Sequence, residues 1–278
     1  MKINLRRVTT GAVLIAAASA FLFCTGFTKA SDHGNHENGY LKSATYYSDD
    51  WVINFWNSES SHMDEELKQI REDGFNSIIL VVPWREFQPS MAPEHYNDYA
   101  WEKFDRVMKA AKAQDLKVML RVGYTWDYYS SENVLARYEK LLYDSETKKA
   151  WLHYAKRLYE KASAYDNFSG GFITWEDFWN FAENSVFYGS GLTGRKMAAQ
   201  CGYTQYVKEH YTLEELGEIY RDTFDSYGEI YLPAKESYAR KLFFQFYDHF
   251  LNDILAETQT VFPDLSMEVR LDVDPVRR

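Results

Sequence analysis

The chain has 278 residues, is 46% hydrophobic and 26% charged, and carries a formal net charge of −10. A chain this acidic lacks the basic surface that nucleic acids and anionic membranes require, so the sequence predicts neither as a partner. Its two cysteines are too few for a disulfide framework or a cysteine-based metal site, and its length is sufficient for one hydrophobic core.

The first thirty residues have the pattern of a secretory signal. Basic residues precede an apolar run from Ala12 to Phe27, which is shorter than the about 20 residues of a membrane span. We predict a bacterial-type signal peptide at 1–30 that is cleaved after Ala30. The mature chain is then secreted or held in the cell envelope, without a membrane attachment. Cleavage removes four basic and no acidic residues, so the net charge becomes −14 and Cys201 is the remaining cysteine.

After a polar, flexible leader at 31–44, the sequence at 45–278 alternates strand-like and helix-like segments. Compact apolar runs predict five strands, at 51–55, 76–82, 117–122, 171–175 and 265–273. Apolar residues at helical spacing predict helices at 64–73, 99–114, 145–165 and 234–261. A long insertion, about 180–232, interrupts this rhythm and contains a short helix near 213–224. Strands alternating with helices predict βαβ units and a parallel sheet.

Polar and aromatic residues lie at or just after the end of every predicted strand, where parallel barrels carry their chemistry. In strand order they are Asn54, Trp56 and Asn57; Trp84, Arg85 and Glu86; Arg121, Tyr124, Trp126 and Asp127; Glu176, Asp177, Trp179 and Asn180; and Arg270, Asp272 and Asp274. Indole and phenol rings stack on the apolar faces of sugars, while carboxylates, guanidinium groups and amides bind hydroxyls. The aromatic content of 17% agrees with a sugar site, and an aromatic-rich core is the alternative.

Residues 82–121 carry a motif that extends across a strand, a loop, a helix and a second strand. It consists of Val82-Pro83-Trp84-Arg85-Glu86-Phe87-Gln88-Pro89, Tyr96, Trp101, Phe104-Asp105, Ala110-Ala111 and Leu116-Lys117-Val118-Met119-Leu120-Arg121. This motif resembles the clan A glycoside hydrolases, in particular the group of families 42, 39 and 5, and residues 51–180 resemble them loosely. The resemblance implies an α/β fold of the (β/α)8 TIM-barrel type. The five N-terminal β/α units are expected in this chain, and the C-terminal units are missing.

The resemblance also implies the catalytic residues. In the clan, the general acid/base is a Glu at the end of strand four, and Glu176 occupies that position. The residue before it is Trp175, where the clan usually has Asn, which leaves open a different sugar register or a lost activity. The nucleophile of the clan follows strand seven, which has no counterpart here. Three explanations stay open: a truncated or split gene product, a partner chain that supplies the missing strands, or a non-standard role for Asp177 or Asp272.

We therefore predict an exported glycoside hydrolase that cleaves O-glycosidic bonds of an oligo- or polysaccharide, with Glu176 as acid/base. The predicted substrate-binding residues are Trp84, Arg85, Arg121, Tyr124, Trp126, Asp127, Asp177, Trp179, Asn180 and Asp272. Structural alternatives are an ion pair of Glu176 with Arg85 or Arg121, a helix-capping role for Asp177, and packing of the indoles. No metal and no cofactor are predicted, because phosphate-loop, dinucleotide and metal-ligand motifs are absent from the sequence. The alternative function is a non-catalytic carbohydrate-binding or polysaccharide-assembly protein.

Overall fold

A computed structural model describes residues 40–59, 62–123, 140–141, 144–174, 190–234 and 236–268. Its strands are β1 (Ser43–Tyr46), β2 (Ser77–Val82), β3 (Ser90–Met91), β4 (Glu94–His95), β5 (Lys117–Val122), β6 (Phe168–Thr174) and β7 (Leu265–Glu268). Its helices are α1 (Met63–Glu72), α2 (Trp84–Phe87), α3 (Asp98–Ala113), α4 (Ser145–Ala162), α5 (Leu192–Gln200), α6 (Tyr203–His210), α7 (Leu213–Tyr220) and α8 (Arg240–Gln259). Two 3₁₀ helices cover Asn54–Asn57 and Tyr227–Glu229.

Five of the strands form one parallel sheet in the order β1-β2-β5-β6-β7, and β3 pairs with β4 as an antiparallel hairpin. The large strands therefore lie side by side in the order in which the chain makes them, and helices connect them. This arrangement confirms the predicted α/β class and the parallel sheet. Within the described ranges β1 and β7 are the two edges, so the sheet there is not closed and the number of barrel units stays a prediction.

The predicted first strand is wrong. Residues 51–55 form a turn that leads into the 3₁₀ helix Asn54–Asn57, and the strand is β1, which lies closer to the N-terminus. The buried residues of this turn are Val52, Phe55 and Trp56, at the spacing of a helical face. A short apolar run fits a buried strand and a buried helical turn equally well, so the run by itself did not distinguish the two structures.

The folded domain also begins before the predicted boundary at residue 45. β1 includes Ser43 and Ala44, which the sequence assigned to the leader, and pairs with β2 from Ser43 opposite Ser77 onward. The backbone N–H of Lys42 donates to Oδ1 of Asn76 at 2.7 Å. These elements belong to a compact unit that starts at Leu41.

The described part of the insertion begins with three helices. The sequence predicted one short helix, whereas residues 190–220 contain α5, α6 and α7. Thr212 and Glu215 form a capping box at the start of α7, in which each side chain binds the other residue's backbone N–H. Tyr203 of α6 packs against Phe243 and Phe246 of α8, which fixes the insertion to the last helix. Across the described ranges, no helix combines the length and apolar character that crossing a membrane requires.

The two faces of the sheet differ in burial. Val118, Leu120 and Val122 of β5 are at most 1% exposed and belong to the core beneath the helices. Ile79, Met119 and Phe172 lie on the opposite face and are only partly buried. In the core, rings of Trp56, Phe87, Trp101 and Phe104 pack at centroid distances of 4.5 to 6.5 Å. Part of the aromatic content therefore serves packing.

Candidate active site

The C-terminal ends of β2, β5 and β6 lie side by side. Arg121 of β5 is opposite Val81 of β2 and Phe172 of β6, and it is partly buried. Its Nη2 donates to Oγ1 of Thr174, the last described residue of β6, at 3.3 Å. This contact places a guanidinium group beside the end of strand β6, two residues before Glu176 in the sequence.

The structure describes three of the predicted site residues, which are Trp84, Arg85 and Arg121. The others lie outside the described residues: Tyr124, Trp126, Asp127, Glu176, Asp177, Trp179, Asn180 and Asp272.

Trp84 packs into the core behind the sheet end. It is fully buried, and its ring contacts Trp151 and Tyr154 of α4 at centroid distances of 5.2 and 6.3 Å. Its Nε1 donates to Oε1 of Gln88 at 2.6 Å. A buried indole offers no face to a sugar ring, so in this structure the packing alternative applies to Trp84 rather than the predicted substrate stacking.

Arg85 lies in α2 next to a row of polar groups that connects three segments. The carboxylate of Glu86 accepts a hydrogen bond from Nδ2 of Asn57, and Oδ1 of Asn57 accepts one from Nδ2 of Asn97 at 3.2 Å. The row joins the loop after β1, the loop after β2 and the start of α3. Asn97 was not among the predicted residues, although an Asn directly before an apolar-periodic segment is a helix-capping signal. Its Oδ1 indeed accepts from the N–H of Ala100.

A second network ties the β3–β4 hairpin to α4. Glu94 accepts hydrogen bonds from the phenol of Tyr96 and from Nε2 of Gln88 at 3.0 Å, and its Oε2 lies 2.9 Å from Nδ1 of His153. Burial acts to raise the pKa of Glu94, but the hydrogen bonds from Tyr96 and His153 outweigh it and lower the pKa below its usual range. Burial, followed by the hydrogen bond to Glu94, raises the pKa of Tyr96 to about 12. Since Gln88 also binds Trp84, the network fixes the loop that follows β2.

The loop after β1 is held by a buried lysine. Lys103 of α3 is fully buried, and its Nζ donates to the carbonyl oxygens of Phe55 and Ser58, the latter at 2.7 Å. Desolvation by burial lowers the pKa of this ammonium group below its usual value. Sequence reasoning missed Lys103, because one lysine on the apolar stripe of a helix is not distinguishable from a surface lysine whose carbon stem covers apolar residues.

One carboxylate of the sheet was also missed. Glu268 of β7 is the register partner of Thr174, so it is beside the end of β6 and is exposed. Alternation along the predicted strand 265–273 could have identified it, since Glu268 and Asp272 have the same parity and share a face of any continuous strand.

In the described part of the chain, a cavity lies away from the predicted site residues, and no cluster of metal ligands is found. The cavity is lined by α7 and the turn after it, through Leu213, Glu214, Gly217, Glu218, Asp222, Thr223 and Phe224. It contains none of the predicted site residues. Among the described side chains, no group of three His, Cys, Asp or Glu residues could hold a metal ion.

No protein-family model and no curated protein matches this sequence. Solved structures that resemble it include a beta-galactosidase from the psychrophilic Marinomonas ef1, with 14% identity and a TM-score of 0.53. That likeness covers 82% of this chain and 36% of the other. A GH5_18 protein from Bifidobacterium longum subsp. longum has 19% identity over 49% of this chain and 33% of its own, with a TM-score of 0.42. An exo-beta-1,4-mannosidase from Opitutaceae bacterium strain TAV5 has 14% identity over 58% and 29%, with a TM-score of 0.43.

These likenesses describe the fold. The beta-galactosidase shares the arrangement over most of the described domain, while this chain spans about a third of the length of that solved protein. The chain is therefore similar in fold to part of a glycoside hydrolase, with an α/β architecture around a parallel sheet of five strands.

Proposed function

We propose that this chain is an exported glycoside hydrolase, or part of one, and that Glu176 protonates the glycosidic oxygen of an oligo- or polysaccharide. To carry its proton at neutral pH, a general acid of this kind needs a pKa that is raised toward neutrality. The predicted export signal suits a protein that meets polysaccharides outside the cytoplasm.

The observation that carries the proposal is the contact between Arg121 and Thr174 at the end of β6. It brings the cationic side chain of Arg121 to the C-terminal edge of a parallel sheet. Thr174, which it contacts, precedes Glu176 by two residues in the sequence. That edge is where barrel enzymes assemble their active sites. The fold likeness to a beta-galactosidase supports the same interpretation.

The chemistry requires a second carboxylate. Retaining glycosidases hold two carboxyl groups about 5–5.5 Å apart, and inverting enzymes hold them about 6.5–9.5 Å apart. Glu268 is a candidate because it is the register partner of Thr174, and Asp177 and Asp272 remain candidates from the sequence. A partner chain with further strands is a third source. The partly buried face of the sheet favours it, since parallel sheets are generally covered on both faces.

The first experiment measures reducing-sugar release by the purified chain from a panel of oligo- and polysaccharides, with Glu176→Gln alongside. The solved neighbours are named for beta-galactosides and beta-1,4-mannosides, so the panel starts with these substrates. We expect Glu176→Gln to lower the rate by about 10²- to 10⁴-fold, because a glutamine cannot transfer the proton.

The matched control is Glu160→Gln, the same change at an exposed carboxylate of α4 that pairs with Lys156. It should leave the rate unchanged. Equal activity of the two variants would contradict the role of Glu176. Loss of activity in Glu268→Gln, but not in Asp177→Asn or Asp272→Asn, would identify Glu268 as the second carboxylate.

The second candidate function is a non-catalytic carbohydrate-binding or polysaccharide-assembly protein. The departure at Trp175 favours it, since this tryptophan stands where the resembled clan usually has Asn. Saccharide binding by folded protein that releases no reducing sugar from any substrate of the panel would establish this function instead.

A further inference from the structure

The loop after β1 presents one indole and two amides along a single face. The N–H of Phe55 donates to the carbonyl oxygen of Trp51 at 2.9 Å, so a helical turn leads into the 3₁₀ helix Asn54–Asn57. Residues three apart eclipse one another in such a helix. Trp51, Asn54 and Asn57 are accordingly all exposed, with Trp51 at 43%, while the residues between them are buried or partly buried. We call these three residues the β1 stripe.

The β1 stripe sits on a backbone that is fixed from below. Lys103 binds two carbonyl oxygens of the loop, at Phe55 and Ser58. The hydroxyl of Ser58 donates to the carboxylate of Asp50, and Nε1 of the buried Trp56 donates to the carbonyl oxygen of Val81 at 3.0 Å. A surface held in this way loses little conformational entropy when it binds a ligand.

The stripe leads to the polar row of the sheet end. Nδ2 of Asn57 donates to Glu86, and Oδ1 of Asn57 accepts from Asn97, so the orientation of this amide is set by both neighbours. An amide has two N–H donors and two acceptor lone pairs, and each of these contacts uses one. The exposed amide of Asn57 therefore keeps a donor and an acceptor for a ligand hydroxyl.

This combination fits a neutral sugar better than other ligands. An indole face receives the C–H face of a pyranose, and oriented amides bind hydroxyl groups at its edge. Asp50 precedes Trp51 and accepts from Ser58, and Glu86 accepts from Asn57, so two carboxylates lie beside the stripe and disfavour phosphates and acidic saccharides. A protein partner would require more apolar surface, but the apolar neighbours Val52 and Phe55 are buried.

We propose that the β1 stripe is a binding subsite for a neutral saccharide chain. Trp51 stacks on one pyranose ring, and Asn54 and Asn57 bind its hydroxyls. The choice of a saccharide as the ligand rests on the proposed function, to which the stripe adds a binding subsite. The subsite lies at the same edge of the sheet as the candidate active site. It binds a part of the saccharide chain that is remote from the cleaved bond.

The test measures binding calorimetrically on the full chain carrying Glu176→Gln, so that hydrolysis does not consume the probe. The probes are β-1,4-linked gluco-, manno-, galacto- and xylohexaose. We expect Trp51→Ala to weaken binding of the best probe about tenfold. Asn54→Ala should weaken it about threefold, and Trp51→Phe less than Trp51→Ala because it keeps a ring. Tyr238→Ala is the matched control, since Tyr238 is a 63% exposed aromatic residue outside the stripe, and it should bind like the parent.

The outcomes separate the two proposals. Binding that is lost in Trp51→Ala, without any hydrolysis by the unsubstituted chain, supports the subsite and contradicts the hydrolase. Hydrolysis that depends on Glu176, with unchanged binding in Trp51→Ala and Asn54→Ala, overturns the subsite and leaves the hydrolase. Failure of all four probes to bind also overturns the subsite. Circular dichroism checks folding, and if Trp51→Ala is unfolded, Trp51→Phe and Asn54→Ala decide.

Discussion

At the residue scale, Asn167 shows how one buried amide joins three elements. It is 6% exposed, and its Nδ2 donates to the carbonyl oxygens of Met108 and Leu116 at 3.1 and 3.2 Å. The backbone carbonyl oxygen of Asn167 accepts from the N–H of Val118 at 2.8 Å. The end of α3 is thus fastened to the starts of β5 and β6. Asn167-Phe168-Ser169 matches a glycosylation sequon, but in the folded domain this nitrogen is engaged and inaccessible.

We predict that Asn167→Asp lowers the free energy of unfolding at neutral pH by about 3 kcal/mol, because a buried carboxylate would then face two carbonyl oxygens. Urea unfolding followed by circular dichroism measures the effect. The control is Asn252→Asp, the same change at an exposed position of α8, which should have little effect. Equal shifts in the two variants would show that the two donated hydrogen bonds do not matter.

At the scale of elements, a glycine sets the spacing between β6 and its neighbours. A Cβ atom on Gly171 would lie 2.8 Å from Cζ of Phe262, 3.2 Å from Cγ2 of Val122 and 3.3 Å from the carbonyl oxygen of Leu120. Gly171 is buried in the middle of the strand. The close approach of β5 and of the segment before β7 therefore requires a residue without a side chain here.

We predict that Gly171→Ala lowers the free energy of unfolding by about 1–3 kcal/mol through overpacking. Gly191→Ala is the matched control, since a Cβ there would meet no atom within 4 Å and its φ of −73° suits any residue. Its effect should stay within about 0.5 kcal/mol. The comparison uses thermal and urea unfolding of both variants. If Gly171→Ala were as stable as Gly191→Ala, the elements around Gly171 would accommodate the added methyl group without a loss of free energy of unfolding, and the prediction would be wrong.

The elements also differ in how far the sequence predicts them. β5 was predicted at 117–122 and is found there, and β2 starts one residue later than predicted. Both are largely apolar strands, where burial and β-propensity agree. β1 was missed because Ser43, Thr45 and Tyr46 carry no apolar pattern, and it is a strand through its pairing with β2.

At the scale of the whole molecule, buried and partly buried tyrosines link stability to pH. Burial, followed by a hydrogen bond to Asp105, raises the pKa of Tyr165 to about 12, and Tyr96 has a similar value. Burial also raises the pKa values of Tyr203 and Tyr220, whose hydroxyl groups lie 2.8 Å apart. In the unfolded chain these phenols ionise near pH 10.

We predict that the domain loses stability as the pH rises from about 10 to 12, because the unfolded chain releases phenol protons that the folded chain retains. Absorbance at 295 nm and circular dichroism, recorded on one sample, should show a group of tyrosines that ionises only together with unfolding. In Tyr203→Phe the fall of stability with pH should be less steep. Ionisation of all tyrosines near pH 10, without a change in secondary structure, would contradict the prediction.

By itself, the sequence determined the α/β class and most of the described helices and strands. These properties depend on local periodicity and on the order of segments, which one chain displays directly. The tertiary structure alone decided that Trp84 packs in the core while Trp51 is exposed, and that Glu268 is beside Thr174. Burial and register depend on contacts between residues far apart in the chain, so residue type and spacing do not specify them.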